Sequence, residues 1–391
     1  MYKIKTIALL VVNIVLIAGI CGCDELVTIL SDNEKLDALP QEIVIGIVFP
    51  MSGIYYQGPD DPGMDRFMNG FYMARDEINR KQLGSHQLTF ILEDDRSTIE
   101  GAIEAYNKLI NEDKVVAIIG PTSSTQVQMA FPVAQERQFV AIGPSSAAQG
   151  LSAIGDFVFR VNLTVDKLIP RGVQLTHDKL EYQRVAKLVT NDDSYSQSAD
   201  AILTESLDAV GVEIVTTETF DLRDSDLSEQ LTRIRDLNPD AIFVAAQPVD
   251  HSKILVQGRD VGIPGEIPFI VPFLTSSIVE EAGNSAEGAI TFAAWSRTAN
   301  RPKNRAFVHN YRERYNDEPN FFTALSYTSV QILANAVSNA RSTDSHAIRD
   351  ALADTKDLDT VLGSFSFDDV GDALYDPTMM VVENGELRVF Q

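Results

Sequence analysis

Residues Val115 to Ser146, VVAIIGPTSSTQVQMAFPVAQERQFVAIGPSS, constrain the fold more than any other stretch. Val115–Ile119 and Phe139–Ile142 are short apolar runs, the pattern of strands buried on both faces of a parallel sheet. Each leads into Gly-Pro and then hydroxyl residues: Gly120-Pro121-Thr122-Ser123-Ser124-Thr125 and Gly143-Pro144-Ser145-Ser146. The stretch between them predicts a helix. Strand, turn, helix and strand in so short a span require an α/β fold, where ligands sit beyond the carboxyl ends of the strands. A Ser/Thr turn at a helix start offers free N–H groups, a positive dipole end and hydroxyl donors together, which suits a carboxylate. Ser123–Thr125 equally fit a plain helix cap. The second turn makes a paired site as good an account as two separate caps.

The alternation continues on both sides. Ile43–Phe49 predicts a strand ending at Pro50-Met51-Ser52-Gly53, and Asp60-Asp61-Pro62-Gly63 breaks the chain before a helix over Phe67–Lys81. Leu88–Leu92 predicts a strand followed by Glu93-Asp94-Asp95, and Ile99–Ile110 a helix. These elements form a doubly wound unit of about four strands, with Phe157–Val161 as a connecting strand. A second unit follows, with strands at Val185–Val189, Val212–Thr217, Ala241–Ala246 and Phe269–Val271. Its helices fall at Leu168–Leu180, Ser196–Val210, Leu227–Leu237 and Ser252–Val261, with Gly211 and Gly262 where helix-terminating glycines belong. Repeated topology implies two lobes. Gly288–Phe292 reads as a further strand, then Lys303–Tyr315, Phe321–Ala340 and Ser345–Asp354 as helices. Strands at Gly363–Phe367 and Met379–Glu383, with Asn384-Gly385 turning into Leu387–Phe390, complete the chain. These last elements must return to the lobes, so several crossings should join them.

The 391 residues allow two domains, and 45% hydrophobic residues with 23% charged describe an ordinary globular chain. The formal charge of −24 argues against a nucleic-acid partner, which needs a basic face. Lys3 and Lys5 precede an apolar run, Ile7–Ile20, too short to span a bilayer and typical of a signal-peptide core. Its end, Ile20-Cys21-Gly22-Cys23, resembles a bacterial lipoprotein signal. Residues 1–22 would be removed and Cys23 lipidated; Cys21 fits less well, because Ile20 would precede it. Both cysteines lie here, so disulfides cannot stabilise the exported part. Removing residues 1–22 leaves 30 basic against 56 acidic residues, a charge of −26. Residues 23–41, polar and acidic, read as a tether that holds the domain outside the cytoplasm.

Catalytic motifs are scarce. No G-x-S-x-G elbow or phosphate-binding loop occurs, and no G-x-G-x-x-G follows a strand. His86, His177, His251, His309 and His346 lack metal-ligand spacing, so neither metal nor cofactor is expected. Ser124 as a nucleophile has no assignable base. Asp94-Asp95 fits a capping, solvated pair better than a cation site. Asn162-Leu163-Thr164 matches a glycosylation pattern, which carries no weight beside a lipoprotein signal. Tyr55, Tyr56, Tyr195, Phe273 and Trp295 all fall at strand ends or turns, where they would serve a cleft or simply pack.

Seven pieces resemble the periplasmic substrate-binding proteins of the leucine/isoleucine/valine-binding type, in order and spacing. They are Ile45–Gly53, Gly70–Asn79, Leu88–Asp95, Val116–Thr125, Ala141–Ser146, Glu287-Gly288 and Phe365–Asp372. The resemblance implies two doubly wound, Rossmann-like α/β lobes joined by a three-stranded hinge. Lobe one would take residues 42–163 and 292–363, and lobe two 164–291 and 364–391. It implies a ligand carboxylate held by Ser124, with Thr122 and Ser123 beside it, then by Ser145 and Ala147. Ala147 departs from the usual hydroxyl residue; Ser146 is its neighbour. Tyr195 matches the tyrosine that closes from the second lobe, and Tyr56 falls near a first-lobe aromatic. The ammonium end departs further. Where the amino-acid binders of this type carry an acidic residue, Phe273 stands here, and Gln247 replaces a frequent tyrosine; Asp250 is an alternative source of charge. An unpaired buried ammonium would cost several kcal/mol, so the expected ligand bears a carboxylate or similar acceptor and no free α-amino group, with branched amino acids as the alternative. The implied partners are that small molecule, an ABC permease and, through the lipid anchor, the membrane. Rival functions are ligand sensing for a membrane receptor or envelope enzyme, and a Ser124-dependent envelope hydrolase.

Overall fold

The computed structural model describes residues 39–55, 62–81, 86–293 and 295–390. The segment expected to be a signal peptide, Cys23 and Tyr56 lie outside the described residues. The tether expected over residues 23–41 ends sooner, because Leu39 is already buried in the core. Among the described residues no helix is long and apolar enough to cross a membrane.

The first sheet is all parallel, in the order β2 (Gln87–Asp94), β1 (Glu42–Phe49), β3 (Ala117–Ile119), β4 (Ala141–Gly143), β5 (Val158–Arg160). Between the strands run α1 (Pro62–Lys81), α2 (Ile99–Asn111) and α3 (Ser124–Glu136). β5 is thus the fifth strand of this sheet rather than a connector, and α1 begins five residues ahead of the apolar periodicity, at Pro62. Pro suits a first helical turn because that N–H has no partner inside the helix.

The chain then crosses to α4 (Val165–Leu180) and a second sheet. There β6 (Arg184–Thr190), α5 (Ser194–Ala209), β7 (Glu213–Phe220), α6 (Ser228–Asp236) and β8 (Ala241–Ala245) alternate. They are followed by α7 (His251–Asp260), β9 (Phe269–Ile270), α8 (Ser276–Ala282) and β10 (Ile290–Ala293). The strands from β6 to β10 pair in parallel, and the hairpin of β14 (Thr378–Glu383) and β15 (Glu386–Val389) adds to β10 antiparallel. The hairpin turns at Asn384-Gly385, both at positive φ (53° and 73°), as a tight two-residue loop requires. Because β10 carries Phe292 and Ala293 in the second sheet, the boundary expected at residue 292 moves past Ala293.

α9 (Pro302–Tyr315), α10 (Phe321–Ala340) and α11 (Ser345–Ala353) return to the first lobe. α10 is buried on most of its surface and lies against α1, where Ser326 Oγ donates to the Phe67 carbonyl at 2.7 Å. A β-carbon on Gly70 would come within 2.1 Å of that hydroxyl, so the two helices can approach this closely only over a glycine. A small antiparallel sheet of β11 (Leu358–Thr360), β12 (Gly363–Phe367) and β13 (Ala373–Leu374) precedes the last return.

Three stretches therefore connect the lobes: after β5, after β10, and between β13 and β14. Arg160, at the end of β5 and wholly buried, ties them to the cavity loops. Its Nε bonds Asp372 at 2.8 Å and Ser152 Oγ at 3.0 Å, and its Nη1 donates to the Ala148 carbonyl. Asp372 lies in the turn between β12 and β13, so one ion pair links the end of β5 to the turn that precedes the third connecting stretch.

Candidate ligand-binding site

Both sheets present the carboxyl ends of their strands to a cavity of about 410 Å³ between the lobes. The first lobe contributes the two Gly-Pro turns. At Gly120, φ is +115°, and a β-carbon would lie 2.0 Å from the Val48 carbonyl oxygen, so only glycine lets β3 leave the sheet here. Its carbonyl accepts from Tyr106 Oη at 2.5 Å. Ser123 then caps α3, weakly, with Oγ 3.5 Å from the Gln126 nitrogen. The turns are laced to each other. Ser145 Oγ donates to the Thr122 carbonyl at 2.8 Å, and the N–H groups of Ala147 and Ala148 donate to Ser124 Oγ at 3.2 and 3.1 Å.

Thr122, Ser123, Ser124, Ser145, Ser146, Ala147, Tyr195, Gln247 and Phe273 all line this one cavity. Two roles differ from expectation. Ser124 is 2% exposed, and both its lone pairs are occupied by the second turn; it is first a brace, with only its O–H proton left for a ligand. The Ala147 N–H is committed to the same brace. Neither partner of Ser124 Oγ can take up its proton, so these contacts supply no general base. Ser123 and Ser146 also line the cavity, and the N–H groups of Ser124 and Thr125 in the first turn of α3 have no partner inside the helix.

The second lobe meets the cavity differently. Asp193 caps α5, its Oδ2 accepting from the Ser196 N–H and Oγ at 2.8 and 2.7 Å. Its Oδ1 accepts from Gln247 Nε2 at 2.7 Å and from Thr125 Oγ1 of the first lobe at 3.2 Å. Tyr195 is buried, and its ring centre lies 5.8 Å from that of Phe273, which stacks at 5.4 Å and 10° on Phe321. Phe273 holds φ at +62°, an outlying conformation for a bulky residue that costs of order 1–2 kcal/mol. Asp250 is no cavity charge: it is buried against Lys253 Nζ at 2.8 Å and the Arg223 N–H at 3.2 Å.

Asn162, Asn320, Phe49, Phe67, Phe322, Ser277 and Glu281 also line the cavity, and sequence reasoning missed them. Asn162 follows a recognised strand end and was open to the same rule as the serines. The α8 residues Ser277 and Glu281 belong to a short helix that was not anticipated. Phe322 stacks on Phe67 at 5.7 Å and 16°, a contact across 255 positions that no local pattern announces. Of the two adjacent tyrosines, Tyr55 is the described cavity residue. Burial and then Asp193 push its phenol above the ordinary value, with Ser123 pulling the other way. Among the described lining residues there is no Lys, Arg or His, and Glu281 is the one carboxylate, exposed at the end of α8.

The Asp94-Asp95 pair divides. Asp94 accepts from the Met51 and Arg96 N–H groups and from Ser52 Oγ, as a capping residue does. Asp95 is not solvated as expected but 1% exposed, and burial pushes its carboxyl up to about 6.

The lobes touch beside the cavity. The Ser194 N–H donates to Thr125 Oγ1 at 3.1 Å, Ser194 Oγ to Gln128 at 2.7 Å, and the Gln149 N–H to Ser198 Oγ at 2.9 Å. Arg66, bidentate on Asp317, also donates to Ser277 Oγ of the second lobe at 2.9 Å.

Two parallel-sheet lobes around a polar and aromatic cavity, without a cationic group in its described lining, define a two-lobed ligand-binding protein. A family profile described as periplasmic binding protein matches residues 42–385, and the chain belongs to that family. It is similar to the leucine-, isoleucine-, valine-, threonine- and alanine-binding protein of Pseudomonas aeruginosa, 22% identical over 84% of this chain and 87% of that one. A branched-chain amino acid transporter substrate-binding protein of Streptococcus pneumoniae, solved with isoleucine, is 28% identical over 89% of this chain and 98% of that one, at a TM-score of 0.81. The fold is shared too by an ABC transporter solute-binding protein of Rhodopseudomonas palustris in complex with 3,4-dihydroxybenzoic acid. It is 21% identical over 89% of this chain and 95% of that one, at a TM-score of 0.80.

Proposed function

We propose that this chain is the extracytoplasmic solute-binding subunit of an ABC transporter for amino acids or related small carboxylates and amides. The observation that carries this function is the contrast between the walls of one interlobe cavity. Hydroxyls and helix N–H groups cluster at the two Gly-Pro turns, and aromatic rings from both lobes line the rest, with the nearby charges of Asp193 and Asp250 already committed. The hydroxyl wall suits an anionic or strongly polar acceptor through the helix dipole and O–H donors. The aromatic wall suits an apolar body. An α-ammonium meets no buried free carboxylate, and Glu281, exposed to solvent, would stabilise one only weakly. The preferred ligand therefore lacks that group.

Binding would proceed by lobe closure on the three connecting stretches, with the contacts from Thr125 to Ser194 and from Arg66 to Ser277 formed in the closed state. The closed form would then dock on a membrane permease whose ATPase subunits supply the energy. Lipidation at Cys23 would hold the protein at the membrane.

Calorimetric titration of the purified protein with leucine, with 4-methyl-2-oxopentanoate and with aromatic acids tests the function. Recovery of an unchanged acid, bound at least as tightly as leucine, is expected. Tight binding of leucine alone would refute the missing ammonium site, and turnover of a bound ester or amide would refute a purely binding role.

A further inference from the structure

Asn162 begins the first connecting stretch after β5, is 1% exposed and borders the cavity. Its burial leaves the glycosylation pattern it belongs to inaccessible. Its Nδ2 donates to the Ser145 carbonyl oxygen at 2.8 Å. That carbonyl can only accept, so the amide is pinned with its nitrogen toward the second hydroxyl turn and its oxygen away from it. The oxygen, Oδ1, is buried and has no partner among the described residues. Ser146 Oγ and Tyr195 Oη, both cavity-lining and at most 4% exposed, are also unpartnered there.

The three atoms are not equivalent. The two hydroxyls turn to donate or accept as a ligand requires, whereas an amide oxygen accepts only. Water can satisfy Oδ1 when the cavity holds no ligand, but a ligand that displaces this water must replace the bond or lose affinity. A carboxylate or keto oxygen set against Oδ1 brings two acceptors together. An O–H or N–H completes the pair.

We propose that Asn162 is a specificity-determining residue whose side-chain oxygen selects ligands with a neutral hydrogen-bond donor beside the acceptor group held by the Ser123 and Ser145 turns. The proposal rests on the solute-binding function above and narrows its ligand class. Small 2-hydroxy acids and N-acyl 2-amino acids fit best; the plain and 2-oxo acids with the same carbon skeleton leave Oδ1 unpaired and bind less tightly. A site built around a buried hydrogen-bonding group discriminates strongly against the analogue lacking the complementary group, because that group is left unpaired.

Two probe series test it by calorimetry on the purified protein. One is 2-hydroxy-4-methylpentanoate, 4-methylpentanoate and 4-methyl-2-oxopentanoate; the other is 3-phenyllactate, 3-phenylpropanoate and phenylpyruvate. Within each series the skeleton and carboxylate are constant and only the substituent at carbon 2 changes. The hydroxy acid should bind roughly 5- to 100-fold more tightly than the other two. In Asn162→Leu that ratio should fall toward one, through weaker binding of the hydroxy acid with the plain acid within about threefold of the parent. A purely structural role would weaken all members alike, and an unchanged ratio in the variant would overturn the proposal. So would a ratio near one in the parent protein, which decides the matter even where the variant does not fold. If no member of either series binds and leucine does, the ammonium argument fails first and the selection by Asn162 with it.

Discussion

The two walls of the cavity are built on opposite plans. In the first lobe the polar groups are local and mutually supporting: two Gly-Pro turns brace each other through Ser124 and Ser145 and leave hydroxyls for a ligand. In the second lobe the polar groups serve the protein itself. Asp193 holds Gln247, Ser196 and Thr125, Asp250 holds Lys253, and aromatic rings face the cavity. The Gly-Pro turns supply direction, since hydrogen bonds are oriented; Phe273 and Tyr195 of the second lobe, with Phe67 and Phe322 of the first, supply apolar area, which is not. A ligand held this way has a fixed polar end and a loosely specified body. The contrast also sets the cost of damage on each side.

The largest loss should come from the aromatic wall. Phe273→Ala removes a buried ring stacked on Phe321 and tilted against Tyr195 and should cost roughly 3 to 4 kcal/mol in urea unfolding, the low end for a core Phe because the new space joins a cavity. It should also admit bulkier acids. A loss below that of Ser124→Ala would break the comparison.

The lobes should answer pH in opposite directions. Asp95, in the first lobe, has its carboxyl raised by burial from 3.8 to about 6. Its contribution is therefore greatest below pH 4 and is lost as pH rises to 6. His251, in the second lobe, is fully buried with Nε2 2.9 Å from the Ala246 carbonyl, and burial pushes it down to about 4. Its contribution is present above the unfolded value of 6.5 and is lost as pH falls to 4. Each amounts to about 3 kcal/mol, so the two nearly cancel in the parent protein. In Asp95→Asn the His251 loss should emerge, with the urea midpoint falling between pH 6.5 and 4. A flat profile in that variant would show that the opposition is absent.

Ser124→Ala should cost about 2 kcal/mol, because it strands the buried N–H groups of Ala147 and Ala148, and should weaken the preferred acid about tenfold. Equal affinity in the variant would leave Ser124 a brace and nothing more.

The smallest effect is expected where the lobes meet. Thr125→Val removes a hydroxyl that donates to Asp193 and accepts from the Ser194 N–H, at about 1 kcal/mol. If those contacts belong to the closed state, ligand affinity should fall about fivefold while the unfolding midpoint barely moves, and small-angle scattering should record a larger radius without ligand. A shifted midpoint with unchanged affinity would instead assign the bond to folding alone.

Much of the fold was legible because its signals are local. Apolar runs followed by Gly-Pro and serines marked β3 and β4, and Asn384-Gly385 marked the final hairpin. Where sequence failed, the missing information was long-range. β5 reads like a connector until its pairing with β4 is known, and β13 has only two paired residues. Asp95 looks like half of a solvated pair, yet the turn around Ser97 buries it. Phe322 gave no sign of its place beside Phe67.

The sequence by itself determined that the chain alternates strand and helix in two units, and that hydroxyl-rich turns end two adjacent strands. Periodicity and turn chemistry act over a few residues, so a single segment reveals them. Tertiary structure decided what those turns do. It spent the Ser124 lone pairs on Ala147 and Ala148, committed Asp193 and Asp250 within the protein, and left the side-chain oxygen of Asn162, a cavity-lining residue, without a partner among the described residues. A hydrogen bond depends on where its partner lies in space, and a side chain's residue type does not say which of its atoms will remain free.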